Sequence, residues 1–209
     1  MFDWAKQLGD DLTWREAELA SLKLLVSEAE IGSVRRASLL RAIWVLLYAH
    51  YEGFFKFAWD LYLEQLEKLT IMREDSIEAL ARFSLAKKLR ALRGNLSEEA
   101  LWGCFACDFQ IWMKEKIRFE VKLETNSNLW PSVAKGNSSE VGLPTAELDK
   151  HEFELKTLVS RRNDIAHGKS MVVKSLAEYQ KYEDAALLAM HELAVAVLDA
   201  LEQKLYLKP

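Results

Sequence analysis

Glycine and proline are scarce in this chain of 209 residues, with 8 and 3 copies. So few turn formers exclude an all-β fold built from many tight reversals. Cysteine is scarcer still. Cys104 and Cys107 form a lone Cys-x-x-Cys pair, which falls short of a four-ligand zinc site. No strand–helix alternation surrounds it, as a thioredoxin-like motif requires, so it reads as two small thiols buried on one helix face. Long apolar runs are also missing. Ala42 to Ala49 is far too short to span a bilayer, and Ala185 to Leu198 is interrupted by His191-Glu192. The opening Met1-Phe2-Asp3-Trp4 has an early acid and no basic n-region, so no export signal is expected. With two cysteines, this fits a reducing cytoplasm and no membrane. An excess of positive charge is absent too: Lys plus Arg is 28 against 32 Asp plus Glu, for a formal net charge of −4. The overall field does not attract nucleic acid, so any RNA contact needs a local basic patch or specific contacts. There is no His-Glu-x-x-His motif, no glycine-rich phosphate loop and no compelling carboxylate cluster. No metal or cofactor is expected.

What is present is helix. Half the residues are apolar, enough for a substantial core and too many for a disordered chain. The length fits a single domain over 1–209. Apolar spacings of three and four predict a helix over about Phe2–Glu28 and a long, largely buried one over about Val34–Leu69, with Ser33 as its N-cap. Gly53 inside that helix costs roughly 1 kcal/mol against Ala and marks a close helix crossing. A third helix is expected from Ser76 to Arg93, stopped by Gly94, and a fourth from Ser97 to about Glu124. The segment 125–144 is rich in turn formers and reads as a long polar loop. Asp149-Lys150-His151-Glu152 has the spacing of a capping box for a helix ending at His167. Ser175-Leu176-Ala177-Glu178 is a second box, opening a last helix to about Leu205. The fold class expected is all-α, a bundle of long antiparallel helices with shorter ones.

Function concentrates in Arg161-Arg162-Asn163-Asp164-Ile165-Ala166-His167-Gly168. A phosphodiester-cleaving site needs a fixed cation and a group that moves a proton near neutral pH. Guanidinium pairs with phosphate oxygens as a bidentate fork, and imidazole titrates in the physiological range. Asn163 and His167 are four apart and share a helix face, whereas Arg162 and His167 lie about 140° apart around the helix. Gly168 ends the helix, so the helix dipole is expected to favour the charged form of His167. His167 could take the proton from a ribose 2′-hydroxyl or give one to the leaving 5′-oxygen. Arg162 would hold the scissile phosphate. An Arg five residues before a His arises by chance about 0.2 times in a chain of this composition. The flanking Arg-Asn and Ala-His-Gly add the specificity.

Arg-Asn-x-x-Ala-His-Gly, late in an all-α chain of this size, resembles the Arg-x4-6-His motif of HEPN domains, many of which are metal-independent RNases. Leu47-Tyr48-Ala49-His50-Tyr51-Glu52-Gly53-Phe54-Phe55-Lys56 is similar to a stretch that precedes this motif by about a hundred residues in one bacterial HEPN nuclease group. The resemblance spans about Ser33 to Leu205. It implies a helical bundle that dimerises, so that the Arg and His of two motifs meet in one composite cleft. Arg162 and His167 map to the catalytic pair, Asn163 to the polar position after the Arg, and Glu52 to a supporting place. It also implies an endoribonuclease acting on RNA as a toxin or phage-defence effector, alongside an antitoxin or neighbouring defence protein. One subgroup carries a modifiable Tyr two residues after the His. Lys169 stands there in this chain, a supporting or substrate-binding candidate, and departs from that control mechanism.

Blander readings stand beside these. Arg162 and His167 could be a helix-capping pair, and Arg161 a solvated or substrate-edge charge. Glu52 either pairs with an arginine such as Arg162 or faces solvent, and His50 is either structural or lines the cleft. Lys87, Lys88, Arg90 and Arg93 form a solvated basic face, or an RNA-tracking or partner-docking surface. The rival to an enzyme is a non-catalytic HEPN module binding RNA, a nucleotide or a protein.

Overall fold

The computed structural model describes residues 3–94, 96–170 and 172–209. Three long helices form its frame: α1 (Asp3–Glu28), α2 (Val34–Lys68) and α10 (Leu176–Glu202). Phe2, the expected first residue of α1, lies outside the described residues. The helix α2 packs between α1 and α10 and is buried along much of its length, through Trp44, Leu47, Tyr48, Tyr51, Phe54, Phe55 and Trp59 among others. Each such large side chain contributes roughly 1.5–3 kcal/mol of transfer free energy when fully buried. The polar ends of the indoles are satisfied: Trp44 Nε1 donates to the Leu158 carbonyl at 3.1 Å and Trp59 Nε1 to Ser138 Oγ at 3.2 Å. A buried carboxylate, Glu183 on α10, is met by Lys23 of α1 at 2.7 Å. Among the described residues no strand forms, only two isolated bridges, and no helix is long and apolar enough to cross a membrane.

Both serine caps form. Ser33 accepts from the Arg36 N–H and Ser175 from the Glu178 N–H, each at 3.1 Å. The crossing at Gly53 is close: a Cβ there would sit 2.9 Å from Arg15 Nη1. Arg15 is held by Asp11, and its Nη1 lies 3.4 Å from His50 Nδ1. His50 is buried with its ring edge-on to Trp14. Burial lowers its pKa from the ordinary value, and the neighbouring Arg15 cation lowers it further, against Glu18 and Asp11.

The shorter elements depart from expectation. The third helix breaks at Leu85 into α3 (Glu78–Ser84) and α4 (Ala86–Leu92). The fourth runs as α5 (Glu98–Gly103), a π-helical stretch (Cys104–Asp108) and α6 (Phe109–Met113), then stops eleven residues short of Glu124. Beyond it the chain is extended. Ile117 N–H donates to the Ile71 carbonyl at 2.8 Å, and Phe119 N–H to Glu67 at 2.6 Å. Ile117-Arg118-Phe119-Glu120-Val121-Lys122-Leu123 alternates apolar and polar, with Ile117 and Leu123 buried, which is a period of two rather than 3.6. Cys104 is buried but Cys107 is exposed, so the thiols do not share a buried face.

The loop expected over 125–144 contains a helix, α7 (Pro131–Glu140). Its Gly-Asn-Ser-Ser sequence is poor in helix formers. Tertiary contacts hold it instead: buried Ala134, the Ser138–Trp59 bond, and Lys135 paired with Asp149 and Glu152. Asp149 therefore caps nothing. It lies inside a short helix, α8 (Ala146–Lys150), and α9 (Glu152–Ala166) starts at His151 with no side-chain cap.

Candidate functional site

The segment singled out in the sequence forms the last two turns of α9. Leu155, Leu158 and Val159 face inward, and Arg162 follows them at helical spacing on the same side. Its guanidinium carbon lies 4.3 Å over the Tyr48 ring of α2. Its Nη1 donates to Asn128 Oδ1 at 3.0 Å and to Asn163 Oδ1 at 2.8 Å. Those bonds use both hydrogens of Nη1. Among the described residues, Nη2 and Nε have no partner, so the other edge of the fork keeps its donors. The ring attracts the cation over its face, and the two amides hold Nη1.

Asn128 reaches Arg162 through a tight turn. Asn126 and Ser127 adopt positive φ, 51° and 70°, and Asn128 N–H closes the turn on the Thr125 carbonyl at 3.0 Å. The next residue ties the turn to the site: Leu129 N–H donates to the Tyr48 hydroxyl at 2.8 Å. Burial pushes the Tyr48 phenol up to about 12, against the lowering by the Leu129 N–H; nearby Glu52 adds to the rise and Arg162 opposes it. Tyr48 thus stays neutral, stacks on Arg162 and positions the Asn128 turn. Sequence reasoning missed both Tyr48 and Asn128. The signals for them were an aromatic four residues before Glu52, and Thr-Asn-Ser-Asn, a run of residues that tolerate left-handed backbone.

His167 stands apart. The helix ends in a Schellman turn: Gly168 has φ 73°, its N–H reaches the Ile165 carbonyl at 3.0 Å, and Lys169 N–H reaches that of Asp164 at 2.9 Å. The backbone therefore caps these carbonyls, and the imidazole does not. His167 is exposed, with no side-chain partner among the described residues. No contact joins it to Arg162 within the chain, as their separation around the helix requires. A capping pair does not describe either residue, since Arg162 meets two amides and a ring rather than an acid.

The other expected site residues have structural partners. Arg161 pairs with Glu178 at 2.7 Å and packs over Trp44 and Tyr182, pinning α9 to α10; it is not a solvated charge. Burial raises the Glu178 pKa, but the Arg161 bond and the Lys174 N–H outweigh it and hold the carboxyl below the usual range. Lys169 pairs with Asp164 at 2.7 Å, and its carbonyl accepts from Arg41. Glu52 is half-buried and bonds Lys56 at 3.2 Å. It has no contact with Arg162 and lies near Tyr48, whose phenol pKa it helps to raise. Among the described residues no group of three or more His, Cys, Asp or Glu side chains could hold a metal ion.

A protein-family model described as HEPN_MAE_28990-like HEPN matches residues 4–206. No curated protein and no solved structure matches the chain.

Proposed function

Because the chain belongs to the HEPN superfamily, we propose that Arg162 and His167 serve a metal-independent endoribonuclease whose site is completed by a second copy of the chain. The observation that carries this reading is the state of Arg162. Its guanidinium is clamped on one nitrogen by Asn128 and Asn163 and stacked on Tyr48, with its remaining donors unpaired among the described residues. A preorganised fork of this kind is suited to the non-bridging oxygens of a phosphodiester.

His167 takes the proton of the ribose 2′-hydroxyl. The 2′-oxygen attacks phosphorus, and the bond from phosphorus to the 5′-oxygen breaks. The leaving oxygen takes a proton from His167 of the partner subunit. Products are a 2′,3′-cyclic phosphate and a 5′-hydroxyl. Two motifs in one cleft resolve the geometry of a single chain, where the exposed His167 and the inward Arg162 do not meet. A toxin or phage-defence role, with a neutralising or neighbouring partner protein, extends this reading.

The second reading, a non-catalytic module that binds RNA, nucleotide or protein, draws on the acidic net charge of −4 and on the half-buried position of Arg162. Cleavage and binding measured together separate the two. The nuclease reading expects His167→Ala to abolish cleavage while RNA binding persists. It expects Arg162→Lys to remain impaired, because a point charge does not reproduce the fork. A wild-type chain that binds RNA and cleaves none would support the module.

A further inference from the structure

We propose that a groove between α3, α4 and the end of α7 is a second RNA site that holds phosphates flanking the scissile one. The proposal rests on the nuclease reading above, and it concerns residues that reading does not use. The groove has a volume of about 410 Å³ and is lined by Arg82, Arg90 and Arg93 around an apolar floor that includes Phe83 and Leu89, with Glu140 as its lone acid. In a protein of net charge −4, three guanidiniums facing one carboxylate make a local site of the opposite sign.

The basic cluster seen in the sequence is divided by the fold. Lys87 is bound to Glu120 at 2.7 Å, and that partner raises the lysine's pKa. Lys88 meets Glu115 at 3.4 Å and lies over Trp112. Both are taken up by the extended segment and by α6. Arg90 and Arg93 are exposed and, among the described residues, their side chains have no ion-pair or hydrogen-bond partner. Arg82 has a long, exposed contact with Glu78, at 3.7 Å. Arg90 and Arg93 are three apart on one helical turn, so their Cβ atoms lie about 5–6 Å apart. That spacing lets two forks grip neighbouring phosphates of an extended strand, and the apolar floor offers a face for an unstacked base.

Position connects this groove to Arg162. Glu140 ends α7, and Asn128, which clamps Arg162, lies three residues before α7 begins. The helix between them rises about 15 Å. That rise is a span that a few nucleotides of RNA can cover, so the proposed substrate class is single-stranded RNA rather than a mononucleotide.

The test uses a fluorescent single-stranded RNA of about 12 nucleotides, bound by full-length His167→Ala so that cleavage does not intervene. Affinity is read by anisotropy between about 50 and 200 mM salt. Arg90→Ala/Arg93→Ala is expected to lower the magnitude of the slope of log K against log salt by about 1.4, two contacts at ~0.7 each. Arg90→Lys/Arg93→Lys, which keeps both charges, is expected to retain the parent slope. Lys6→Ala/Lys68→Ala, with the same charge change elsewhere, is expected to leave it unaltered. An unchanged slope in the alanine pair overturns the proposal, as does an equal loss in the lysine pair or the control. An equal loss of binding to a labelled poly-glutamate peptide would assign the groove to an acidic polypeptide and overturn the RNA site. Failure of wild type to cleave RNA is a separate readout that concerns Arg162 and His167.

Discussion

Replacing Tyr48 with Phe tests the packing argument at the candidate site, because the change removes one oxygen and leaves the ring. The hydroxyl accepts from the backbone N–H of Leu129, which is fully buried. Without it, that donor is left in the core unpaired, at a cost of about 1–3 kcal/mol. Loss of the hydroxyl also removes a polar atom from the interior, which offsets part of that cost. A net destabilisation of about 1–2 kcal/mol follows, which in a chain of this size lowers Tm by roughly 3–6 °C. Tyr51, one turn along the same helix, supplies the internal control. Its hydroxyl is also buried but has no hydrogen-bond partner among the described residues. Tyr51→Phe removes a buried polar atom that is already unpaired and is expected to be neutral or stabilising. Both variants are measured by urea denaturation and thermal melting at neutral pH. Equal losses in the two, or a Tyr48→Phe protein as stable as wild type, would refute the role given to the Leu129 bond. In the Tyr48→Phe protein the ring still attracts the Arg162 cation, while the Asn128 turn loosens. RNA cleavage by this variant is therefore expected to fall further than its stability loss explains.

Four more outcomes follow from the same geometry. Gly168→Ala meets no steric obstacle but forces Ala to φ 73°, so it should destabilise by about 1–2 kcal/mol and reduce cleavage by moving His167, read by melting and by turnover. Lys23→Ala strands the buried Glu183 carboxylate and should cost about 3–5 kcal/mol, measured by urea denaturation. His50 has a folded pKa below its unfolded value, so the unfolded chain binds the extra proton first. Its contribution is present above about pH 6.5 and is lost as pH falls below that; the acid loss of stability should be smaller in His50→Gln. If two chains complete the site, dilution below the dimer dissociation constant should lower specific activity in step with the dimer fraction seen by light scattering.

The long helices were legible in the sequence because each carries its own apolar face. The residues buried on α2 recur at spacings of three and four, and Ser33 and Ser175 announce two helix starts through a local bond. Gly53 was legible for the same reason: a glycine inside a buried helix needs a neighbour, and Arg15 is that neighbour. What was not legible depends on partners far along the chain. The helix α7 exists because Trp59 bonds Ser138 and Lys135 meets two acids, none of which its own propensities reveal. The alternation from Ile117 to Leu123 was present in the sequence, but it follows a helical run without a break residue and so was absorbed into that helix. At the site, the motif located Arg162, Asn163 and His167. It did not show that Asn128 and Tyr48 clamp the arginine, since those contacts span 34 residues and a helix crossing. Arg161 reads as a solvated or substrate-edge charge in the sequence but lies against α10, because sequence proximity to a motif does not say where a charge finds its counterion.

The central claim is that Arg162 and His167 cleave RNA by transesterification without a metal ion. The most direct measurement is end analysis of an RNA incubated with purified protein in excess EDTA. The account predicts fragments ending in a 2′,3′-cyclic phosphate or its hydrolysis product, facing fragments that begin with a 5′-hydroxyl, and no cleavage by His167→Ala. Cleavage only on addition of a metal, 5′-phosphate ends, or full activity in His167→Ala would contradict it.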